Sequence, residues 1–285
     1  MKKFLNFVLL VLFAVGSAFI FYNRKGNPNH YKKDTTPTFY FHGWSGTANS
    51  TNNMIAYAEK HSGAKKVFKA TVDPSGNVKL DGSWDGEIDK PIIQVVLEDN
   101  KNGDFETLGA WYANVIQEVN KVHPFKEYNT VSHSMSNSVL QYMLLNNTGE
   151  SNFPKMKKEV FIAAPINGVI GMNDEPNQNK LDESGKPEII TPNYQYFMDN
   201  VNRFPKNQIE ILNIYGDLED GSNSDGSVTV EAAKSLRYLA DQYALSYKEE
   251  EFKGGMAQHS LLHHNSKVDK VVNSFLWQNN ENGAQ

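Results

Sequence analysis

The chain has 285 residues, 39% of them hydrophobic and 12% aromatic, which is enough for one large domain with a sizeable core. Lys and Arg number 28 against 33 Asp and Glu, a formal charge of -5, and this acidic balance argues against nucleic-acid binding, which needs a basic face. The absence of cysteine excludes disulfides, thiolate chemistry and cysteine-based metal sites.

The chain opens on Met1-Lys2-Lys3, then an apolar run from Phe4 to Tyr22 interrupted only by Asn6 and Gly16-Ser17, and then Asn23-Arg24-Lys25. A charged start before an apolar run marks an export signal or a membrane anchor. At roughly 19 residues the run is just long enough to span a bilayer. Apolar residues continue past Gly16-Ser17-Ala18, the one candidate cleavage site, so it reads as an uncleaved anchor. Residues 1–25 are thus expected to be a signal peptide or N-terminal membrane anchor and 26–36 a polar linker. Residues 37–285 are the folded domain, exported and either held at the cell surface or secreted.

Thr38 to Phe41 is a short β run that stops at His42-Gly43, with Trp44, Ser45 and Gly46 following. A loop of this kind after a strand can offer a backbone N–H to an oxyanion, here that of Trp44. His42 reads as structural, and the bland alternative is an ordinary strand-ending turn. Asn49-Ser50-Thr51 is expected to cap a helix running to about His61. Lys65–Val72 and Val78–Trp84 flank Asp73-Pro74-Ser75-Gly76-Asn77 as a β-hairpin. Pro91–Leu97 is a continuous apolar run, the pattern of a strand buried on both faces. From Phe105 to Val122, apolar residues at helical spacing predict an amphipathic helix.

Tyr128 to Leu140 changes character midway. It reads as a strand before Ser134, and as a helix after it, with Val139, Leu140, Met143 and Leu144 at helical spacing. A serine at a strand-to-helix junction, with small residues two positions to either side, has the pattern of a nucleophile elbow. Here those small residues are Ser132 and Ser136, where glycine is usual. The following helix start would supply the Met135 N–H as a second oxyanion donor. The alternative is a polar loop in which Ser134 or Ser136 caps the helix.

Glu159 to Pro165 reads as another buried strand. Residues 166–207 lose all periodicity, and so long a stretch is expected to be a cap or lid insertion with Tyr194, Tyr196, Phe197 and Met198 on its inner face. Ile209–Gly216 is a strand, followed by an acidic loop, a helix from Val230 to Leu239 and a last strand from Ser246 to Phe252. In the acidic loop Asp225, fixed by its Asp-Gly turn, is the first choice for a catalytic acid and Asp217 the runner-up. The cluster from Asp217 to Asp225 also admits a cation site, though its spacing does not fit a helix–loop–helix calcium loop. His259, in a glycine-rich loop after the last strand, is the candidate base, with His263 and His264 as alternatives. His259 and His263 could pair on a metal, but the spacing lacks the acid of H-E-x-x-H. Val268–Trp277 is the closing helix.

Strands and helices alternate, which argues for a mostly parallel sheet with helices on both faces. The chemistry then runs Ser134, Asp225, His259 along the chain, each after a strand. Together, His42-Gly43-Trp44-Ser45-Gly46, Ser132-His133-Ser134-Met135-Ser136-Asn137, the loop Gly216 to Gly226 and Gln258-His259-Ser260 resemble the α/β-hydrolases. More narrowly they resemble the uncharacterised cell-surface hydrolase family of low-GC Gram-positive bacteria, a domain of unknown function. The resemblance covers Pro37 to Trp277. It implies the α/β-hydrolase fold with a cap, a Ser134-Asp225-His259 triad, an oxyanion hole from the N–H groups of Trp44 and Met135, and no cofactor. The implied activity is that of a carboxylesterase or lipase-like serine hydrolase acting on a small-molecule or lipid ester. The same triad serves acyltransferases, thioesterases and peptidases. Two readings compete with it: a non-catalytic binding protein on the same scaffold, and a metal-dependent hydrolase using Asp217 and Asp225. The family elbow is close to G-H-S-M-G, so serine at 132 and 136 is expected to be sterically tight.

Overall fold

The computed structural model describes residues 35–278; the expected signal or anchor and most of the linker lie outside the described residues. Among the described residues no helix is long and apolar enough to cross a membrane. In chain order the elements are β1 (Thr38–Phe41), α1 (Asn49–Ser62), β2 (Lys65–Val72), β3 (Val78–Gly82), β4 (Pro91–Leu97), α2 (Phe105–Val122), β5 (Glu127–His133) and α3 (Met135–Asn147). They continue with β6 (Lys155–Ile162), α4 (Pro192–Asp199), β7 (Glu210–Asp217), α5 (Val230–Lys234), α6 (Leu236–Ala240), β8 (Ser246–Lys253) and α7 (Ser266–Trp277). The strands form one sheet in the order β3-β2-β4-β1-β5-β6-β7-β8. Among the described strands, the β2–β3 hairpin alone pairs antiparallel. The fold is that of an α/β-hydrolase.

The central strands are apolar throughout because helices cover both faces. On one face Phe39, Phe41, Ile93 and Phe161 pack with α2 and α3. On the other, Tyr40, Ile92, Val131 and Ile162 pack with Met54 and Ile55 of α1 and with Val268 and Val272 of α7. The edge strand β8 reads Ser-Tyr-Lys-Glu-Glu-Glu-Phe-Lys, and its exposed charges discourage pairing with another sheet.

Several elements differ from expectation, among them β6, which runs Lys155–Ile162 where Glu159–Pro165 was expected, and β3, which ends at Gly82. Helix α1 is preceded by Ala48, whose side chain makes no cap; the Thr47 hydroxyl accepts from Asn49 N–H at 3.3 Å instead. The helix expected over 230–239 breaks into α5 and α6 at Ser235, whose hydroxyl donates to Ala232 O at 2.7 Å while its carbonyl accepts from Tyr194 OH at 2.9 Å. Residues 166–207 are not featureless, because Thr191 accepts from Tyr194 N–H and Pro192 opens α4. Tyr194 and Phe197 of α4 are fully buried in the same core as α2 and α3, with Tyr196 and Met198 packed against it.

Candidate active site

Strand pairing brings the two motif loops together. Phe41 of β1 is in register with Ser132 of β5, so the loop after β1 leaves the sheet beside the turn after β5. This is the carboxyl end of a parallel sheet where chain direction diverges, with β4 on one side of β1 and β5 on the other, the usual place for a site in such folds. The approach is close: a Cβ on Gly43 would come within 2.8 Å of the Ser134 Cβ.

Ser134 sits at φ 53° and ψ −126°, a left-handed conformation that costs a non-glycine residue energy and must be held by its surroundings. Its N–H donates to Ile162 O at 2.9 Å. Its carbonyl and that of Ile162 accept from the Asn137 side-chain amide at 2.9 and 3.0 Å. The Ser132 hydroxyl donates to Asn137 Oδ1 at 2.6 Å, which fixes the amide's orientation. The Ser136 hydroxyl donates to His42 O, and the Tyr112 hydroxyl lies 2.6 Å from it. Both serine side chains are buried and hydrogen-bonded within the turn.

His259 Nε2 lies 2.9 Å from Ser134 Oγ, and its Nδ1 lies 2.8 Å from Asp225 Oδ2. With Asp225 accepting at Nδ1, the proton belongs on that nitrogen and Nε2 is free to accept from the serine. Asp225 is 1% exposed, and its Oδ1 accepts from the N–H groups of Ser227 and Val228 at 2.8 and 2.7 Å. The histidine loop can pass over the end of β7 because residue 216 is glycine; a Cβ there would meet Ala257 O at 2.1 Å. The N–H groups of Trp44 and Met135 make no hydrogen bond to the described residues, the first in a loop and the second at a helix start. The Trp44 ring is exposed.

The other candidates go elsewhere. Asp217 accepts from Glu219 N–H at 2.9 Å and Asp220 from Ser222 N–H at 2.9 Å, so each fixes its own turn. Among the described residues no group of three or more His, Asp or Glu could hold a metal ion. His263 packs edge-on against His133, and His264 Nδ1 lies 2.7 Å from the Asn53 amide. His42 is structural, as expected: Leu97 N–H donates to its Nε2 at 3.1 Å and its Nδ1 lies 2.8 Å from Gly43 O. Burial lowers its pKa below the ordinary imidazole value.

Residues 25–279 match the family described as alpha/beta hydrolase of unknown function (DUF915). The chain belongs to this family. Two crystal structures show the same fold. A gene product of Listeria innocua is 23% identical with a TM-score of 0.77, covering 87% of this chain and 96% of that one. A protein of Lactobacillus plantarum, whose description as a cell-surface hydrolase is itself provisional, is 20% identical with a TM-score of 0.67, covering 86% and 90%. No curated protein matches the chain in sequence.

Two residues of this α/β-hydrolase site carried no role in the sequence reading. Asn137 clamps the serine turn, and His133 reaches the histidine loop, its Nε2 2.9 Å from His259 O. Asn137 left a trace in the sequence only as one of several polar residues in the first turn of the helix after the serine. Because His133 immediately precedes the serine, it read as part of the motif.

Proposed function

We propose that this α/β-hydrolase is a serine hydrolase of carboxylic esters, with Ser134 as nucleophile, His259 as general base and Asp225 as its orienting acid. The observation that carries the reading is the continuous relay from Ser134 Oγ through His259 to Asp225, at 2.9 and 2.8 Å, on a left-handed turn. His259 Nε2 takes the Ser134 proton as Oγ attacks the ester carbonyl. Asp225, unprotonated throughout, stabilises the imidazolium that forms. The carbonyl oxygen becomes an oxyanion, which the N–H groups of Trp44 and Met135 are free to bind; one such donor is worth about 3 kcal/mol in known cases. Collapse of the tetrahedral intermediate passes the proton from His259 to the departing alcohol and leaves an acyl-Ser134. Water, deprotonated by the same imidazole, attacks that ester, and the acid leaves as Ser134 regains its proton. None of these steps uses a cofactor.

The apolar run from Phe4 to Tyr22 supports export and attachment to a membrane surface. The test is labelling of the full-length protein with a fluorophosphonate, wild type beside Ser134→Ala, followed by short- and long-chain p-nitrophenyl esters. Labelling and turnover in the wild type alone are expected. Equal turnover in the two would remove Ser134 from the mechanism.

A further inference from the structure

We propose that His133 is a positioning residue that ties the base to the strand bearing the nucleophile; this rests on reading Ser134 and His259 as nucleophile and base. His259 is held at three points besides Ser134. Its N–H donates to Asp225 O at 2.9 Å, and its Nδ1 bonds Asp225 Oδ2. Both anchors come from the acid loop. The third is different: His259 O lies 2.9 Å from Nε2 of His133, the last residue of β5 and the immediate neighbour of Ser134. A carbonyl only accepts, so His133 Nε2 carries the proton and donates. The backbone of the base is therefore fixed to the residue beside the nucleophile, with no loop between.

The His133 ring is itself held. The His263 ring meets it edge-on at 4.5 Å and 77°, and Gly43 packs so close that a Cβ there would come within 3.0 Å of His133 Nδ1. Burial, with His259, His263 and His42 as neighbours, keeps its pKa well below the ordinary imidazole value, so it stays neutral. This matters because its ring centroid is 4.8 Å from that of His259. A charge at 133 would oppose the imidazolium that His259 becomes during acyl transfer. A neutral N–H donor holds the base without that penalty.

The test uses the full-length protein with His133→Leu, which removes the donor, and His133→Gln, whose Nε2 reaches the place of the imidazole Nε2. The Leu variant is expected to lose about 30–100-fold in kcat on a p-nitrophenyl ester, the scale of a misplacement near 1 Å, with KM within about twofold. Fluorophosphonate labelling should slow in step, and the Gln variant should recover most of the loss. If the Leu variant does not fold, His133→Asn, polar but one methylene too short, takes its place. Unchanged kcat in Leu, or equal loss in Leu and Gln, would show that the ring merely fills space. A crystal structure of the donor-less variant reads the proposal apart from activity. There the Ser134 Oγ to His259 Nε2 separation of 2.9 Å should open beyond hydrogen-bond range, and an unchanged separation overturns the role. Wild-type turnover that survives Ser134→Ala would instead overturn the underlying mechanism.

Discussion

At the scale of single residues, the serines at 132 and 136 are structural members of the turn. Ser136 joins three elements: its own helix α3, the His42 carbonyl at the end of β1 and the Tyr112 hydroxyl of α2. All three groups are buried. Restoring the usual glycine would remove the hydroxyl and leave the carbonyl and the phenol without their partner, a cost of about 1–3 kcal/mol. Glycine in the first turn of a helix adds a backbone penalty. Ser136→Gly is therefore expected to lower the melting temperature by roughly 3–10 °C without raising kcat. Differential scanning calorimetry beside ester kinetics checks both parts. A gain in kcat would mean that the Cβ at 136 strains the elbow after all.

At the scale of elements, the loop after β1 and the turn after β5 work as a pair. Their separation is fixed by Gly43, whose Cα has no room for a methyl: Ser134 Cβ, His133 Nδ1 and His133 O would lie at 2.8, 3.0 and 3.1 Å. Gly43→Ala must push the loop outward and carry the Trp44 N–H with it. The expected outcome is a loss of about 10²–10³ in kcat, the cost of one oxyanion donor, with the protein still folded. Circular dichroism and single-turnover kinetics test this, and a wild-type rate would exclude Trp44 as a donor. Much of this architecture is legible in the sequence. Pro91–Leu97 and Phe105–Val122 match β4 and α2 residue for residue because apolar runs and helical spacing are local signals. That Ser134, Asp225 and His259 come together was legible because each lies in a loop after a strand. Helix α4 was hidden because only Tyr194 and Phe197 are fully buried, too few to show a period. The role of Ser136 was invisible because its partners at 42 and 112 meet it only through the sheet and the α2–α3 packing.

At the scale of the whole molecule, each face of the sheet buries an acid that the proposed mechanism does not use. Glu159 on β6 is fully buried; Gln141 donates to its Oε1 at 2.8 Å, while Oε2 has no hydrogen-bond partner among the described residues. Desolvation pushes its pKa up to about 8 from an ordinary 4.5. Asp269 on α7 is pushed up to about 7 by the same cause, and its Oδ1 has no partner among the described residues. Both are neutral in the folded protein under mildly acidic conditions but ionise freely once unfolded. The folded state then binds more protons than the unfolded one, so stability falls as pH rises. For Glu159 the contribution is fully present below pH 4.5 and is lost progressively up to about pH 8. Between pH 5.5 and 8 that loss is on the order of 2–3 kcal/mol. The melting temperature should therefore be several degrees lower at pH 8 than at pH 5.5. Glu159→Gln keeps the acceptor for Gln141 and cannot ionise, so it should raise the melting temperature at pH 8 and leave it nearly unchanged at pH 5. Asp269→Asn should flatten the profile further, mainly below pH 7. Calorimetry of the wild type and the two variants across this range decides the matter: parallel profiles for all three would show that neither acid is held neutral by the fold.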